Sequence, residues 1–489
     1  MLSRRRLLTL GGLAGGAMLL PGAGLSRANA GGTGGNHLHH HGAQRPPLAR
    51  TPGVGPFSVR MPVPQELTPL ISSSKLDVYQ LTMRPANVEI LPGVSTRALT
   101  YNGAFVGPTI RARSGRRTIV TFGNRLGEAA NVHLHGGKVP ASSDGYPMDV
   151  IHPGLARMYD YPNDQPGATL WYHDHSHHTE AEHVYRGLHG FYLLQSDDEQ
   201  RLGLPSGQYD VPIMLRDALF DDSGALVFDP TDPFNRPTLL ANGRPQPYFP
   251  VAARKYRLRL LNGSTHRVFE LDLGGVEMTQ IASDGGLLPE PVTTTNLTIS
   301  SGERVEVVVD FSAHPVGSQL VLNDVSGPVL RFDVVQKAVD RSSVPDRLRA
   351  LPPVPQATNT RQMTLSLDPV NIQALINGRP FDHTRVDAQI RRGTTEIWRI
   401  TNSDTDVGGS GFGLPHNFHM HLVQFRVLDR DGRPPLPGES GLKDTVLIQP
   451  GESVRVQATF GDYLGRYLYH CHMLEHSALG MMGQFEIVR

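Results

Sequence analysis

The sequence predicts an all-β chain built from three sandwich domains, on three observations. Apolar and charged residues alternate with period two in several segments, which marks strands with one face in a core. The pattern recurs as three weak internal repeats, each with an N-G turn, a strand and a later P-G or S-G turn. The repeats are roughly 130–150 residues apart, which is domain-sized, and 489 residues suit about three such domains.

The elements follow in chain order. The N-terminus reads Ser3-Arg4-Arg5-Arg6-Leu7-Leu8, then a Gly/Ala/Leu-rich run to Leu20, Pro21, and Ala28-Asn29-Ala30. Paired arginines, a short apolar run and a small-residue cleavage site predict a twin-arginine-type export signal over residues 1–30. The run is short for a membrane span, and no later segment is apolar and long enough for one. Residues 31–56, rich in Gly and Pro with His37, His39, His40 and His41, predict a disordered tail.

The first repeat contains Asn102-Gly103, the strand Thr118-Ile119-Val120-Thr121-Phe122, Pro153-Gly154 and Trp171-Tyr172-His173. The second contains Asn242-Gly243, Tyr256-Arg257-Leu258-Arg259-Leu260, Ser301-Gly302 and Val305-Glu306-Val307-Val308-Val309. The third contains Asn377-Gly378, Glu396-Ile397-Trp398-Arg399-Ile400, Pro450-Gly451 and Val454-Arg455-Val456. Domains are expected over 57–200, 205–340 and 358–489, with half-buried antiparallel strands. Basic and acidic residues balance at 46 each, so no electrostatic case exists for nucleic-acid or membrane-surface binding. Cys471 is the only cysteine, which rules out an intramolecular disulfide.

That cysteine lies in Tyr469-His470-Cys471-His472-Met473-Leu474-Glu475-His476, followed by Met481. A thiolate, two imidazoles and a weak axial thioether make a blue-copper electron-transfer set. Three further H-x-H pairs precede it: His133/His135, His173/His175 and His419/His421. Their flanks read as strand ends, and alternate residues of a strand share a face, so each pair points both imidazoles one way. By the same rule Cys471 faces away from His470 and His472, so one segment can serve two metal sites. Eight imidazoles suffice for three copper ions with open positions for oxygen species.

These four motifs, HLHGG at 133–137, WYHDH at 171–175, HNFHMH at 416–421 and HCHMLEH at 470–476, resemble those of the multicopper oxidases. The likeness covers nearly all of the mature chain and is greatest to bacterial three-domain laccases, bilirubin-oxidase-like enzymes and cuprous oxidases. It implies three cupredoxin-like Greek-key β-sandwich domains and four copper ions. The type 1 ion would be held by His416, Cys471 and His476 with Met481 axial, and the type 2 ion by His133 and His419. One type 3 ion would sit on His135, His173 and His470, its twin on His175, His421 and His472. The resemblance also makes Asp144 a proton-supplying carboxylate near the three-copper cluster; the alternative is an ordinary Asp-Gly turn residue. Ser477 stands where many relatives carry an acid, and Asn417 where many carry proline, which reads as a change of loop stiffness. His177, His178, His183 and His189 match no ligand position, and Asp174 lies on the strand face opposite its neighbours.

The implied function is an extracytoplasmic multicopper oxidase, periplasmic or secreted. It takes single electrons from phenols or aromatic amines at the type 1 site, through the exposed edge of His476, and reduces dioxygen to water at the trinuclear cluster. Cys471 and its peptide bonds to His470 and His472 carry the electrons. The rival reading is a cuprous or other metal-ion oxidase, against which the scattered methionines argue; a non-enzymatic copper-binding or interaction protein is the remote one. The middle repeat carries no ligand motif and is expected to act as a spacer. Expected partners are dioxygen, a small reducing substrate and the twin-arginine export machinery.

Overall fold

The structure, a computed structural model, describes residues 53–353, 355–405 and 412–489. The export signal read at 1–30 and most of the tail read at 31–56 lie outside the described residues. Six sheets are present among them, two in each third of the chain. Each pair encloses its own apolar core, between Tyr79 and Leu194, Met61 and Val334, and Met363 and Ile487. Trp398 centres the last core, with the rings of Phe418, Phe460, Tyr469 and Phe485 around it. No helix among the described residues is long and apolar enough to cross a membrane.

The repeats seen in the sequence are the same pieces of architecture. Asn102-Gly103, Asn242-Gly243 and Asn377-Gly378 all have positive φ at both residues, the conformation a two-residue hairpin turn requires. Asparagine has a further reason to be there. Its side-chain oxygen accepts the backbone N–H of Thr82, Met214 or Thr364, each at 2.8 Å, and so pins the hairpin to the neighbouring strand. The strands Arg117–Asn124, Lys255–Asn262 and Thr394–Asn402 end alike. In each, the terminal asparagine amide donates to two backbone carbonyls further along the same unit. The P-G and S-G turns then fold back onto it: Gly154, Gly302 and Gly451 donate to the carbonyls of Asn124, Asn262 and Asn402 at 2.8–2.9 Å.

Two expectations about the strands are corrected. The strands that end in asparagine run parallel to a sheet neighbour (Leu76–Glu89, Asp210–Ala218 and Asn359–Asp368) and antiparallel to the other. Such mixed sheets arise because crossovers join the two layers of each sandwich. Alternating burial holds in Arg117–Asn124 of the first unit and Ser453–Phe460 of the third but fails in Lys255–Asn262 and Arg304–Asp310 of the second, which are almost wholly buried. Arg257, Arg259 and Glu306 of these strands reach Glu199 and Thr169 of the first unit. Arg259 pairs with Asp210 at 2.6 Å and Glu306 at 2.9 Å, and the Thr169 hydroxyl donates to Glu306 at 2.7 Å. Charged residues thus point inward because ion partners wait there.

Asn262→Ala removes two donated bonds and the bond its side chain accepts from Ser264 N–H, leaving buried backbone groups without partners. A loss of about 3 kcal/mol is expected, read as a lowered urea midpoint; an unchanged midpoint would show that the asparagine is not what closes the middle sandwich.

Candidate metal centre

The H-x-H pairs come together where the first and third units meet. His133–His135 is a short strand paired with Ala168–His173, which sets His133 opposite His173. In the third unit, His416–Met420 pairs with Gly465–His470 and sets His419 opposite His470. Across the interface the two strand ends stack ring on ring: His133 on His421 and His135 on His419, each with centroids 3.8 Å apart. All eight histidines are at most 1% exposed.

Burial and neighbouring imidazoles hold His133, His135, His421, His470 and His472 well below the ordinary histidine range; His173 falls to about 3 and His175 to about 4. They are neutral, as metal ligands must be. Their orientation is set from behind. The Nδ1–H groups of His133, His173, His419 and His470 donate to the carbonyls of Asp144, Asp174, Asp444 and Cys471 at 2.6–3.0 Å. His421 Nδ1 donates to the Asp144 carboxylate at 2.8 Å. His135 is turned round: its Nε2 meets Asp444 Oδ1 at 3.0 Å and its Nδ1 faces the cluster. Such outer partners fix ring and tautomer for coordination.

The inward nitrogens fit metal ions. His133 Nε2, His173 Nε2 and His419 Nε2 are buried without a hydrogen-bond partner. Other pairs confront each other: His175 Nε2 and His470 Nε2 at 3.1 Å, His421 Nε2 and His470 Nε2 at 3.3 Å, His135 Nδ1 and His472 Nε2 at 3.2 Å. Two nitrogens about 2.0 Å from one tetrahedral ion stand about 3.3 Å apart. Ligand atoms of His133, His135 and His173, of His133, His419 and His421, and of His175, His421 and His470 each gather within 4.8 Å.

One expected pairing is exchanged. His470, the last residue of its strand, stays beside His421 of its own sheet and opposite His175. His472, past the strand end, reaches His135, with Trp171 and His173 around its ring. The alternation rule put both histidines on the cluster side but could not say which lay nearer which unit.

The second site is built around Cys471. Its Sγ lies 3.6 Å from His476 Nδ1 and 3.9 Å from His416 Nδ1, and those two nitrogens are 3.0 Å apart. Burial pushes the thiol up to about 12, so a bound cation is what would hold it as thiolate. Met481 is fully buried, and its carbonyl accepts the Cys471 N–H at 3.0 Å, which returns the loop to the cysteine. His476 differs from expectation: it is 4% exposed rather than edge-on to solvent, because His266 packs against it.

Other residues fall as follows. Asp144 is buried, with Oδ2 on His421 and Oδ1 unpartnered, and burial raises its carboxyl well above the usual range. Asp174 is no ligand; it accepts from Asn131 N–H and Ser176 and pairs with His183. His189 donates to the Val184 carbonyl, and none of His177, His178, His183 or His189 enters a ligand group. Ser477 donates to the buried Glu180 at 3.0 Å.

Sequence reasoning missed the middle unit's share of the site. Arg304 donates to both Asp444 oxygens at 2.5–2.8 Å, and Asp444 orients His135. Ser301 Oγ lies 3.3 Å from His472 Nδ1. Asn417 is a bridge, where a stiffness change was expected. Its amide donates to Ser301 O and Ser300 Oγ while its oxygen accepts the His472 N–H at 2.6 Å and lies 3.5 Å from Cys471 Sγ. The spacer expectation fails for this reason. No motif surrounds Arg304 or Asp444, and Ser301 reads only as an S-G turn residue, so spacing alone could not find their place in the site.

Comparison with known proteins points to the same chemistry. Residues 82–199, 230–328 and 349–489 each match a multicopper oxidase family. The chain is 34% identical to a laccase of Bacillus stratosphericus, over 88% of this chain and 99% of that protein. It is also 34% identical to the bilirubin oxidase of Albifimbria verrucaria, over 88% of this chain and 81% of that one. A crystal structure of a laccase from Pediococcus acidilactici aligns with a TM-score of 0.85 at 31% identity, covering 92% of this chain and 97% of that one.

Gly302 has φ +84, and a Cβ there would lie 2.8–3.0 Å from three atoms of the His472 ring. Gly302→Ala is therefore expected to weaken copper retention at the histidine cluster by about ten-fold and to spare the Cys471 site. Copper content and the blue absorption after dialysis against graded chelator measure the two separately; wild-type retention would show that the close approach does not position His472.

Proposed function

The chain belongs to the multicopper oxidase family, copper-dependent oxidases with dioxygen as acceptor, and we propose that its electron donors are phenols and aromatic amines. The reading rests on one observation above all. The segment His470-Cys471-His472 turns its sulfur to one ligand group and its flanking imidazoles to the other, so two peptide-length paths join the sites. When bound, copper supplies one-electron acceptance at the first site and four-electron reduction of dioxygen to water at the second.

We assign His416, Cys471 and His476 to the type 1 ion with Met481 axial, and His133 and His419 to the type 2 ion. The contacts above support His135, His173 and His472 for one type 3 ion and His175, His421 and His470 for the other. Asp144 is the acid best placed to feed protons to the cluster, since it is buried and touches His421. The paired arginines at the N-terminus support export by the twin-arginine machinery, a route for folded proteins that suits ligands brought together from distant parts of the chain.

Aromatic donors are favoured over Cu(I) by the surroundings of His476. The carboxylate next to it in the chain, Glu475, is buried, with Oε1 held by Arg236 at 2.6 Å and Thr265 at 2.7 Å and Oε2 3.6 Å from His266 Nδ1, and the rings of His266 and Phe234 continue outward from His476. Oxygen uptake with syringol and with Cu(I) as donors tests this. A higher kcat/KM for syringol is expected, with both activities lost in Cys471→Ser; preference for Cu(I) would make the protein a metal-ion oxidase.

If Asp144 supplies protons, Asp144→Asn slows reoxidation of the fully reduced enzyme by about 10²-fold or more while reduction of the blue site by substrate stays near normal. An amide keeps the turn and its hydrogen-bond reach but cannot hand over a proton. Stopped-flow reoxidation at the wild-type rate would remove Asp144 from the mechanism.

A further inference from the structure

The ring of His476 is almost wholly covered. His266, from the middle unit, stands perpendicular to it with centroids 4.8 Å apart and is itself only 5% exposed. Phe234 continues the series, perpendicular to His266 at 4.7 Å, and is 39% exposed. The three rings run from solvent to a ligand of the cysteine site in van der Waals steps, each in the edge-to-face geometry that aromatic pairs prefer.

The series is held firmly. Phe234 lies on the loop Pro230-Thr231-Asp232-Pro233-Phe234-Asn235-Arg236-Pro237, whose three prolines limit the backbone. From the same loop Arg236 donates to Glu475 Oε1 and to Thr265 Oγ1, each at 2.6 Å. The Thr265 hydroxyl also donates to Glu475, and its carbonyl accepts the Leu474 N–H at 2.7 Å. Residues beside Phe234 and His266 thus clamp the residues beside His476. An exposed phenyl ring at the outer end of so fixed an arrangement has no packing role on its open face.

We infer that Phe234 is the docking ring for aromatic donors and that His266 is the bridge through which their electrons reach His476. The inference rests on the aromatic-donor reading and deepens it. A phenol stacked on Phe234 gives up one electron, which crosses His266 and His476 to the oxidised site. The hydroxyl proton passes to water, leaving a phenoxyl radical; four such events match the four electrons that one dioxygen accepts. Phe234 would touch substrate, whereas His266 acts through His476 and is a positioning residue.

The test uses the copper-loaded full chain without oxygen, following the bleaching of the blue band. In Phe234→Leu the half-saturating concentration of syringol should rise by about five-fold, the loss of one aromatic pair, and Phe234→Trp should return it to within about two-fold of wild type. Reduction by ferrocyanide, which has no ring, and the position of the blue band should stay unchanged in both. Without turnover, line broadening of anisole protons by the oxidised protein should be present in wild type and lost in Phe234→Leu. In His266→Ala the limiting bleaching rate with syringol should fall by about ten-fold or more, with His266→Phe restoring most of it. Unchanged syringol saturation and anisole broadening in Phe234→Leu would overturn the docking role, and an unchanged limiting rate in His266→Ala the bridge, each leaving the aromatic-donor reading intact. A wild-type blue band that Cu(I) bleaches and syringol does not would remove that reading, and this inference with it.

Discussion

The structure turns on the contact of four imidazoles, His133 and His135 of the first unit stacked on His421 and His419 of the third. Burying neutral rings whose nitrogens lack hydrogen-bond partners is unfavourable, and no side chain takes up His133 Nε2, His173 Nε2 or His419 Nε2. Metal ions convert those unpaired atoms into ligands. The same act that fills the site closes the interface, so cofactor and quaternary-like packing of the units are coupled. The remaining features serve to hold that interface in register.

The middle unit does so with arginines. Arg216, Arg236, Arg259 and Arg304 are among the largest fully buried side chains, and each leaves its own sandwich or faces a neighbour. Arg216 donates to the carbonyl of Tyr185 in the first unit, and Arg259 reaches Thr169. Arg236 pairs with Glu475 and Arg304 with Asp444, both in the third unit. A buried ion pair adds little net stability over a well-packed apolar contact, but it is costly to break and strict in geometry. It suits an interface that must present ligands at fixed distances. The unit without metal ligands is therefore the one that aligns the two that have them.

Between the two sites, Asn417 does what a proline in that place could not. Its single side chain holds the strand bearing His416 and His419, the backbone of His472, and the Ser300-Ser301 turn of the middle unit. Both metal sites and the third unit's partner are tied at one residue. The thiol of Cys471 lies against the same amide oxygen, so the environment of the sulfur is set by a group that also positions a cluster ligand.

Much of this was legible in the chain itself. Period-two patterning and the N-G and P-G turns determined three sandwiches, because local backbone preferences act within a few residues and the turn geometry demands positive φ at those positions. Alternation along a strand determined that the H-x-H pairs share a face and that Cys471 and its flanking histidines serve different sites. Local rules end where the strand ends: which of His470 and His472 joins which partner depends on where the chain bends after His470, set by packing against the first unit. Arg304, Asp444 and His266 carry no motif, and Ser301 reads only as part of a turn. Their roles follow only from being brought, from distant stretches of sequence, against a histidine ring. The strands around Arg257 and Glu306 read as half-exposed because a charge in sequence looks like a surface, and only folding sets Arg257 and Arg259 against Glu306 of the adjacent strand and Arg257 against Glu199 of the first unit.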